Sequence, residues 1–357
     1  VTTRLGLGAT YSATYYEPFH VARLFQTLDL MTKGRAAWNV VTSVNDNEAK
    51  NMGRETHTGH DLRYDRADEF MEVVLGHWDS WDDDAIVVDK VNNIYAHPDK
   101  VRRIDYKGEF LSSRGPFTVP RTPQGHPVVI QAGGSPRGKQ FAARWGELIF
   151  AGYRNIDVGR VEYAALKSAT EAAGRNPEHL KITSLMYPIS AATKSEAEDK
   201  KVAYESLSND MDQLLLLSEA LNFDFAKKDI DEEFSDEEIE GLQGMQAMRD
   251  RVISTGITNP TPKDFMRITR RGLLPEGHLF IGGPKEIADE MEAWFHSPAC
   301  DGFVIAPTHQ PGTFEDFTKF VIPELQKRGV FRKEYQGNTL RDHLGLEKAE
   351  IGSWNIQ

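Results

Sequence analysis

The sequence predicts an α/β protein built on parallel strands, and three observations predict it. Short apolar runs alternate with amphipathic stretches of ten or more residues, the pattern of strand, crossover helix and parallel strand. The chain has 357 residues, 39% hydrophobic and 27% charged, which suffices for a large core and matches the length of many single-domain α/β barrels. Neither an internal repeat nor a low-complexity tract interrupts it, so fibrous and disordered readings fail.

The elements follow in order. Residues 5–10 read as a short buried strand. From Pro18, the positions Val21, Leu24, Phe25, Leu28 and Met31 recur at helical spacing until Gly34 stops the run. Ala36 to Ser43 is the next strand, and a helix over about 61–78 carries Ala67, Phe70, Met71, Val74 and Trp78 on one face. Residues 79–126 are irregular and turn-rich, an insertion of one or two hairpins. Alternation resumes with a strand at Pro127 to Ala132, a helix from Pro136, a strand at Leu148 to Phe150, a helix near 157–173 and a strand at Ile182 to Tyr187. Residues 190–277 form a charged helical insertion whose acidic runs, such as 229–233, read as solvated faces. A short strand near 280 is assigned to the connection before the next helix, followed by a strand at Gly302 to Ala306 and a helix over 314–327. The polar tail, 329–357, is expected to wrap the barrel or a neighbouring subunit.

Charge and composition exclude several classes. Lys+Arg 42 against Asp+Glu 54 give a net charge of −12, which repels nucleic acid and anionic membrane surfaces. No apolar run approaches the roughly 18 residues of a membrane helix, and the basic-then-apolar layout of a signal peptide is missing. The single cysteine, Cys300, has no partner for an internal disulfide and fits a cytoplasmic location. It reads as a packing residue in preference to a nucleophile.

The segment Gln131 to Gly138 is the most informative. It follows an apolar strand and opens a helix, with Ser135 at the N-cap and Pro136 at the first helical position. Free backbone N–H groups, a hydroxyl and a helix dipole make either a phosphate cradle or a capped turn without a ligand. Arg137 stands where a nucleophile elbow needs glycine, and the run Gly6-Leu7-Gly8 lacks the third glycine of a dinucleotide fingerprint. On the strand at 36–43, outward packing of Trp38 and Val40 turns Asn39 and Ser43 to the barrel mouth, to meet a heteroaromatic ring or to form a satisfied polar core. His60 and Tyr64, four apart at a helix start, face one ligand together and suit a phosphate. His57 and His60 lack further ligands at zinc spacing, so no metal is expected. His278 and His309, near strand ends, are acid–base candidates or structural histidines.

Taken together, Gly6 to Tyr16, Gly34 to Ser43, Arg63 to Phe70, Gln131 to Gly138 and Glu334 to Asp342 resemble the nitrilotriacetate and dibenzothiophene-sulfone monooxygenases, within the bacterial-luciferase-like flavin enzymes. The resemblance implies a TIM-type (β/α)8 barrel that takes reduced FMN from a separate NAD(P)H-dependent flavin reductase. Oxygen then forms a C4a-peroxide on the flavin, which oxidises a small organosulfur or aminopolycarboxylate substrate with C–S or C–N cleavage. It also implies a homodimer or homotetramer. By that resemblance the phosphate falls to Tyr64 and the Gly134-Ser135 cradle, with His60 close by, and Ala132 and Gly133 also belong to the cofactor site. Thr10, Asn39, Ser43 and Val44 then border the ring system, and His309 is the candidate for catalytic contact with substrate.

A TIM barrel has eight strands, and only six are assigned to it here, near residues 7, 40, 130, 149, 184 and 304. Two strand–helix units ahead of Val1 are therefore expected to be missing, about 90 residues at roughly 30 to 45 per crossover unit. Two other functions remain open from the residues alone: a flavin-binding homologue without turnover, and a TIM-barrel hydrolase.

Overall fold

In the computed structural model, residues 2–355 are described except Gln243 and Glu276 and the side chains of Gln246 and Ala247, so Val1 and those positions of the 190–277 block lie outside the description. The chain opens with β1 (Leu7–Ser12), α1 (Pro18–Met31), β2 (Ala36–Val41), α2 (Asp46–Asn51) and the long α3 (His60–Trp78). Two hairpins follow, β3 (Ile86–Asp89) with β4 (Ile94–Ala96), then β5 (Tyr106–Lys107) with β6 (Ser112–Ser113). Alternation resumes with β7 (Val128–Gln131), α4 (Pro136–Trp145), β8 (Leu148–Ala151), α5 (Ile156–Ala172) and β9 (Lys181–Ser190). Next come α6 (Lys194–Glu205), α7 (Asp210–Leu221), α8 (Asp236–Glu240), α9 (Gln246–Ile253) and α10 (Pro262–Thr269), and then β10 (Leu279–Gly282), α11 (Pro284–His296) and β11 (Gly302–Ile305). The chain finishes through α12 (Gly312–Asp316), α13 (Ile322–Arg328) and α14 (Leu340–Leu344).

The main sheet is parallel throughout, in the order β1-β2-β7-β8-β9-β10, with β11 also on β9. The short strand near 280 is thus a member of the sheet and not part of a connection. The reason lies in β9, whose ten residues outrun β11: Gly302 to Ile305 pair with Thr183 to Met186, and Leu279 to Gly282 pair with Tyr187 to Ser190. Strand β1 departs from its expected burial as well. Among the described residues it pairs with β2 alone, and Leu7 is 51% exposed. Among the described residues the sheet does not close between β1 and β11. The helix expected over 314–327 runs continuously through α12 and α13, with a π turn at Phe317–Val321 between them. Pro323, without an N–H and with a ring that crowds the preceding turn, sits at the start of α13 and accounts for the π turn.

Alternation along β2 separates two cores. Trp38 and Val40 point outward into a fully buried cluster with Phe25, Phe70 and Trp78, and the Trp38 indole donates to the Tyr11 carbonyl at 3.0 Å. Ala37 points inward and packs with Val128, Ile130 and Leu346, so the tail plugs the inner end of the sheet of its own chain. The insertion has its own core of Leu217, Leu221, Phe225, Phe234, Val252 and Phe265. No helix among the described residues is long and apolar enough to cross a membrane.

Buried charge holds the tail. Arg341 donates to both carboxylate oxygens of Glu147, at 2.7 and 2.8 Å, with the two side chains 3% and 13% exposed. Asp79 accepts from the Trp354 indole at 2.8 Å and pairs with the buried Arg121. Burial alone would raise the Glu147 carboxyl, but Arg341 overrides it and holds the group ionised far into acid. His126, beside Arg341, is kept neutral by burial and by that positive charge. Burial likewise lowers His77 from 6.5 to about 4.

These histidines set an acid limit. Each has a folded pKa below its unfolded one, so its contribution is complete above the unfolded value and is lost as pH falls toward the folded value. Thermal midpoints are expected to be flat above pH 7 and to drop between about pH 6.5 and 4, by roughly 1.4 kcal/mol of stability per pH unit for each buried histidine. A midpoint unchanged down to pH 4 would contradict this reading.

Candidate functional site

The site begins at the C-terminal ends of the first strands. Asn39 lies in register with Thr10 on one side and Ile130 on the other, and because Trp38 faces the outer core Asn39 faces inward. Its amide nitrogen donates to Thr10 Oγ1 at 2.9 Å. Its Oδ1 is buried and has no hydrogen-bond partner among the described residues. Gln131, at the end of β7, is 3% exposed, and its Oε1 is orphaned in the same way. Ser43 lies beyond the end of β2, with φ at +56°, so strand alternation does not reach it. Its hydroxyl instead shares a 2.7 Å hydrogen bond with that of Ser12.

The turn after β7 carries the second part. Ser135 caps α4 by accepting from the Gly138 N–H at 3.0 Å, and Pro136 opens the helix with its φ already suited to it. Ser135 Oγ also lies 3.2 Å from His60 Nε2, while His60 Nδ1 lies 2.7 Å from Asp61. One helical turn further along α3, Tyr64 is buried, with its ring 5.2 Å from that of His60 and 5.6 Å from Phe141. The Tyr64 hydroxyl rests against two glycines: a Cβ on Gly133 or Gly138 would lie 2.8 or 2.9 Å from it. Glycine is required there by close approach. Gly134, by contrast, opens onto free space, with nothing within 4 Å of where its Cβ would be. Ser135 and Tyr64 therefore belong to one surface.

That surface continues into a cavity of about 480 Å³ lined by Val44, His60, Ser135, Met245, Met248, Arg251, Gly244 and Thr269. The first three come from loops and helix starts beside the sheet, and the rest from the helical insertion around α9 and α10. The luciferase-like monooxygenase family matches residues 1–301. The chain belongs to that family.

Relatives span nearly all of it. The dibenzothiophene-sulfone monooxygenase of Rhodococcus erythropolis is 43% identical over 98% of this chain and 78% of its own length. Nitrilotriacetate monooxygenase component A of Aminobacter aminovorans is 42% identical over 98% of this chain and 77% of its own. Among solved structures, riboflavin lyase with modified FMN and substrate riboflavin superposes with a TM-score of 0.83 at 31% identity, over 97% of this chain and 76% of that one. Long-chain alkane monooxygenase gives a TM-score of 0.81 at 33% identity, over 96% and 74%. The luciferase-like monooxygenase accordingly has the TIM-type barrel architecture of these neighbours.

The other candidates lie elsewhere in this monooxygenase. His309 is exposed on the loop after β11, held by Thr313 and with its ring 4.9 Å from Tyr204 of α6, and it is not among the residues lining the cavity. His278 lies over Gly152 at the end of β8, and burial lowers its pKa. Cys300 is buried with its thiol pushed up to about 12 by that burial, a packing residue. His57 Nδ1 accepts from the Arg63 guanidinium at 2.8 Å. Among the described residues no cluster of three or more metal-ligating side chains occurs. Trp78 is core, stacked at 5.4 Å on His126, and Trp81 anchors a loop through Phe117. Sequence reasoning missed Gln131 as an orphaned acceptor, and it missed Arg251 and the two methionines. A strand-end glutamine beside a glycine turn was a usable signal; the α9 residues offered none.

Proposed function

We propose that this monooxygenase is the oxygenase component of a two-component system, working on reduced FMN delivered by a separate NAD(P)H-dependent flavin reductase in the cytoplasm. The observation that carries this is the pair of orphaned buried acceptors, Asn39 Oδ1 and Gln131 Oε1, next to a glycine–serine turn that opens onto free space. A buried polar atom without a partner costs about 1–3 kcal/mol, and a flavin ring with N–H donors relieves that cost. The residues fit the group: Gly134, Ser135, Tyr64 and His60 suit its phosphate, and Thr10, Asn39, Ser43, Val44, Ala132 and Gly133 border the rest. Bound reduced FMN supplies the electrons that put one atom of O2 into substrate and release the other as water.

The chain's own part is to bind, orient and exclude water. Asn39 is held by its bond to Thr10, leaving its carbonyl oxygen to accept from the ring. Ser135 donates to a phosphate oxygen while keeping the Gly138 N–H satisfied. His309, on the loop after β11 and beside Tyr204, is the candidate for substrate contact. The substrate class is a small organosulfur or aminopolycarboxylate molecule. We read the chain as one barrel unit with insertions at 79–126 and 190–277 and a tail at 329–357, assembled as a dimer or tetramer.

Oxygen uptake tests the function: with FMN, NAD(P)H and a flavin reductase, uptake is expected to rise when a sulfone or an aminopolycarboxylate is added. Tight binding of reduced FMN without substrate-dependent uptake would contradict turnover, and no flavin binding would contradict the reading as a whole. Asn39→Leu separates stability from binding. Removing the orphaned acceptor is expected to leave the melting temperature equal or higher, while affinity for reduced flavin falls about tenfold, or roughly 1.4 kcal/mol.

A further inference from the structure

The phosphate cradle lacks a permanent positive charge of its own. Its donors are a serine hydroxyl, backbone N–H groups, a tyrosine and a histidine, whereas a phosphate monoester at neutral pH carries close to two negative charges. The neighbouring arginines are engaged. Arg137 pairs with Asp65 at 3.0 Å and with Asp68. Arg63 is buried and bonded to His57 and to the Thr58 carbonyl. On α9, Arg249 is paired with Asp250 at 3.1 Å.

Arg251 differs from all of these. It lines the same cavity as His60 and Ser135, it is exposed, and its guanidinium has no hydrogen bond or ion pair among the described residues. The strand end that leads into the Ser135 turn carries independent sign of a ligand, since Gln131 is 3% exposed, its Oε1 is unpartnered, and its side chain packs against Gly133 of that turn. A chain of net charge −12 repels anions in general, so one free guanidinium inside this cavity is the attraction an anion would meet.

We propose that Arg251 is the counter-charge for the cofactor's phosphate, supplied from the helical insertion across the cavity to the Ser135 cradle. This rests on the flavin reading above and extends it. The insertion then takes part in cofactor binding, and FMN is distinguished from riboflavin by a residue far beyond the cradle serine in the chain. Met245 and Met248 give the same cavity its apolar wall.

The test compares reduced FMN with reduced riboflavin, titrated anaerobically by fluorescence against the wild-type chain, Arg251→Gln and Arg251→Lys. Glutamine is expected to weaken FMN at least tenfold and to leave riboflavin within twofold, so the preference between the two collapses; lysine should keep part of it. Equal FMN affinity in wild type and Arg251→Gln overturns the proposal, as does an equal loss for both flavins. A wild-type chain that binds neither flavin overturns the reading beneath it, a distinct result. Arg251 is exposed, and an unchanged melting temperature shows that the variants fold.

Discussion

Gly133→Ala is expected to lower the affinity for reduced FMN about 100-fold, near 2.7 kcal/mol. The new Cβ would stand 2.3 Å from Gln131 Nε2, 2.8 Å from the Tyr64 hydroxyl and 3.1 Å from Gly138 Cα. Carbon does not approach other heavy atoms that closely, so the turn must move. Gln131 is buried and Tyr64 is wedged between Phe141 and His60, so neither swings away freely. The displacement falls on the atoms that form the cradle. Gly134→Ala is the control: its Cβ meets nothing within 4 Å and its φ is not in the left-handed region, so the fold stays intact. Titration of reduced FMN with melting curves on both variants reads the two effects apart. An unchanged FMN affinity in Gly133→Ala would mean that the flavin binds elsewhere.

Arg341→Ala is the second large effect, and it acts on stability. It removes the partner of Glu147 and leaves a carboxylate uncompensated in the interior, which costs about 3–5 kcal/mol. The melting temperature should fall by about 4 to 7 °C. Glu147 also accepts from the Val129 N–H at 3.0 Å, so the damage reaches β7, the strand that ends in the cradle. Replacing both partners together, Arg341→Met with Glu147→Leu, should recover most of the loss, because the buried charge goes with its partner. A double variant as unstable as the single would show that packing, and not charge, holds the tail.

The layout of the barrel was readable because parallel α/β units write themselves locally. The helices α1, α3, α4 and α5 carry their apolar faces at helical spacing, and Ser135 and Pro136 mark the start of α4, whereas the short polar α2 has no such face. Strand β10 was misplaced for the opposite reason. Four residues carry no periodicity of their own, and what fixes them is the overhang of β9, set by pairing about ninety positions away. The burial expected for β1 failed because burial depends on both neighbours of a strand, and β1 pairs with one. At the site, Asn39, Tyr64 and Ser135 were visible through alternation, helical spacing and a cap. The bond between Arg341 and Glu147 spans 194 positions, and Arg251 reaches the cavity on an exposed helix, so no local pattern announces either.

The structure of the chain with FMN bound tests the central claim most directly. The phosphate is expected within hydrogen-bond distance of Ser135 Oγ, and a ring edge within the same distance of Asn39 Oδ1. A phosphate seated away from Ser135, or a ring that leaves both Asn39 and Gln131 unpartnered, would contradict it.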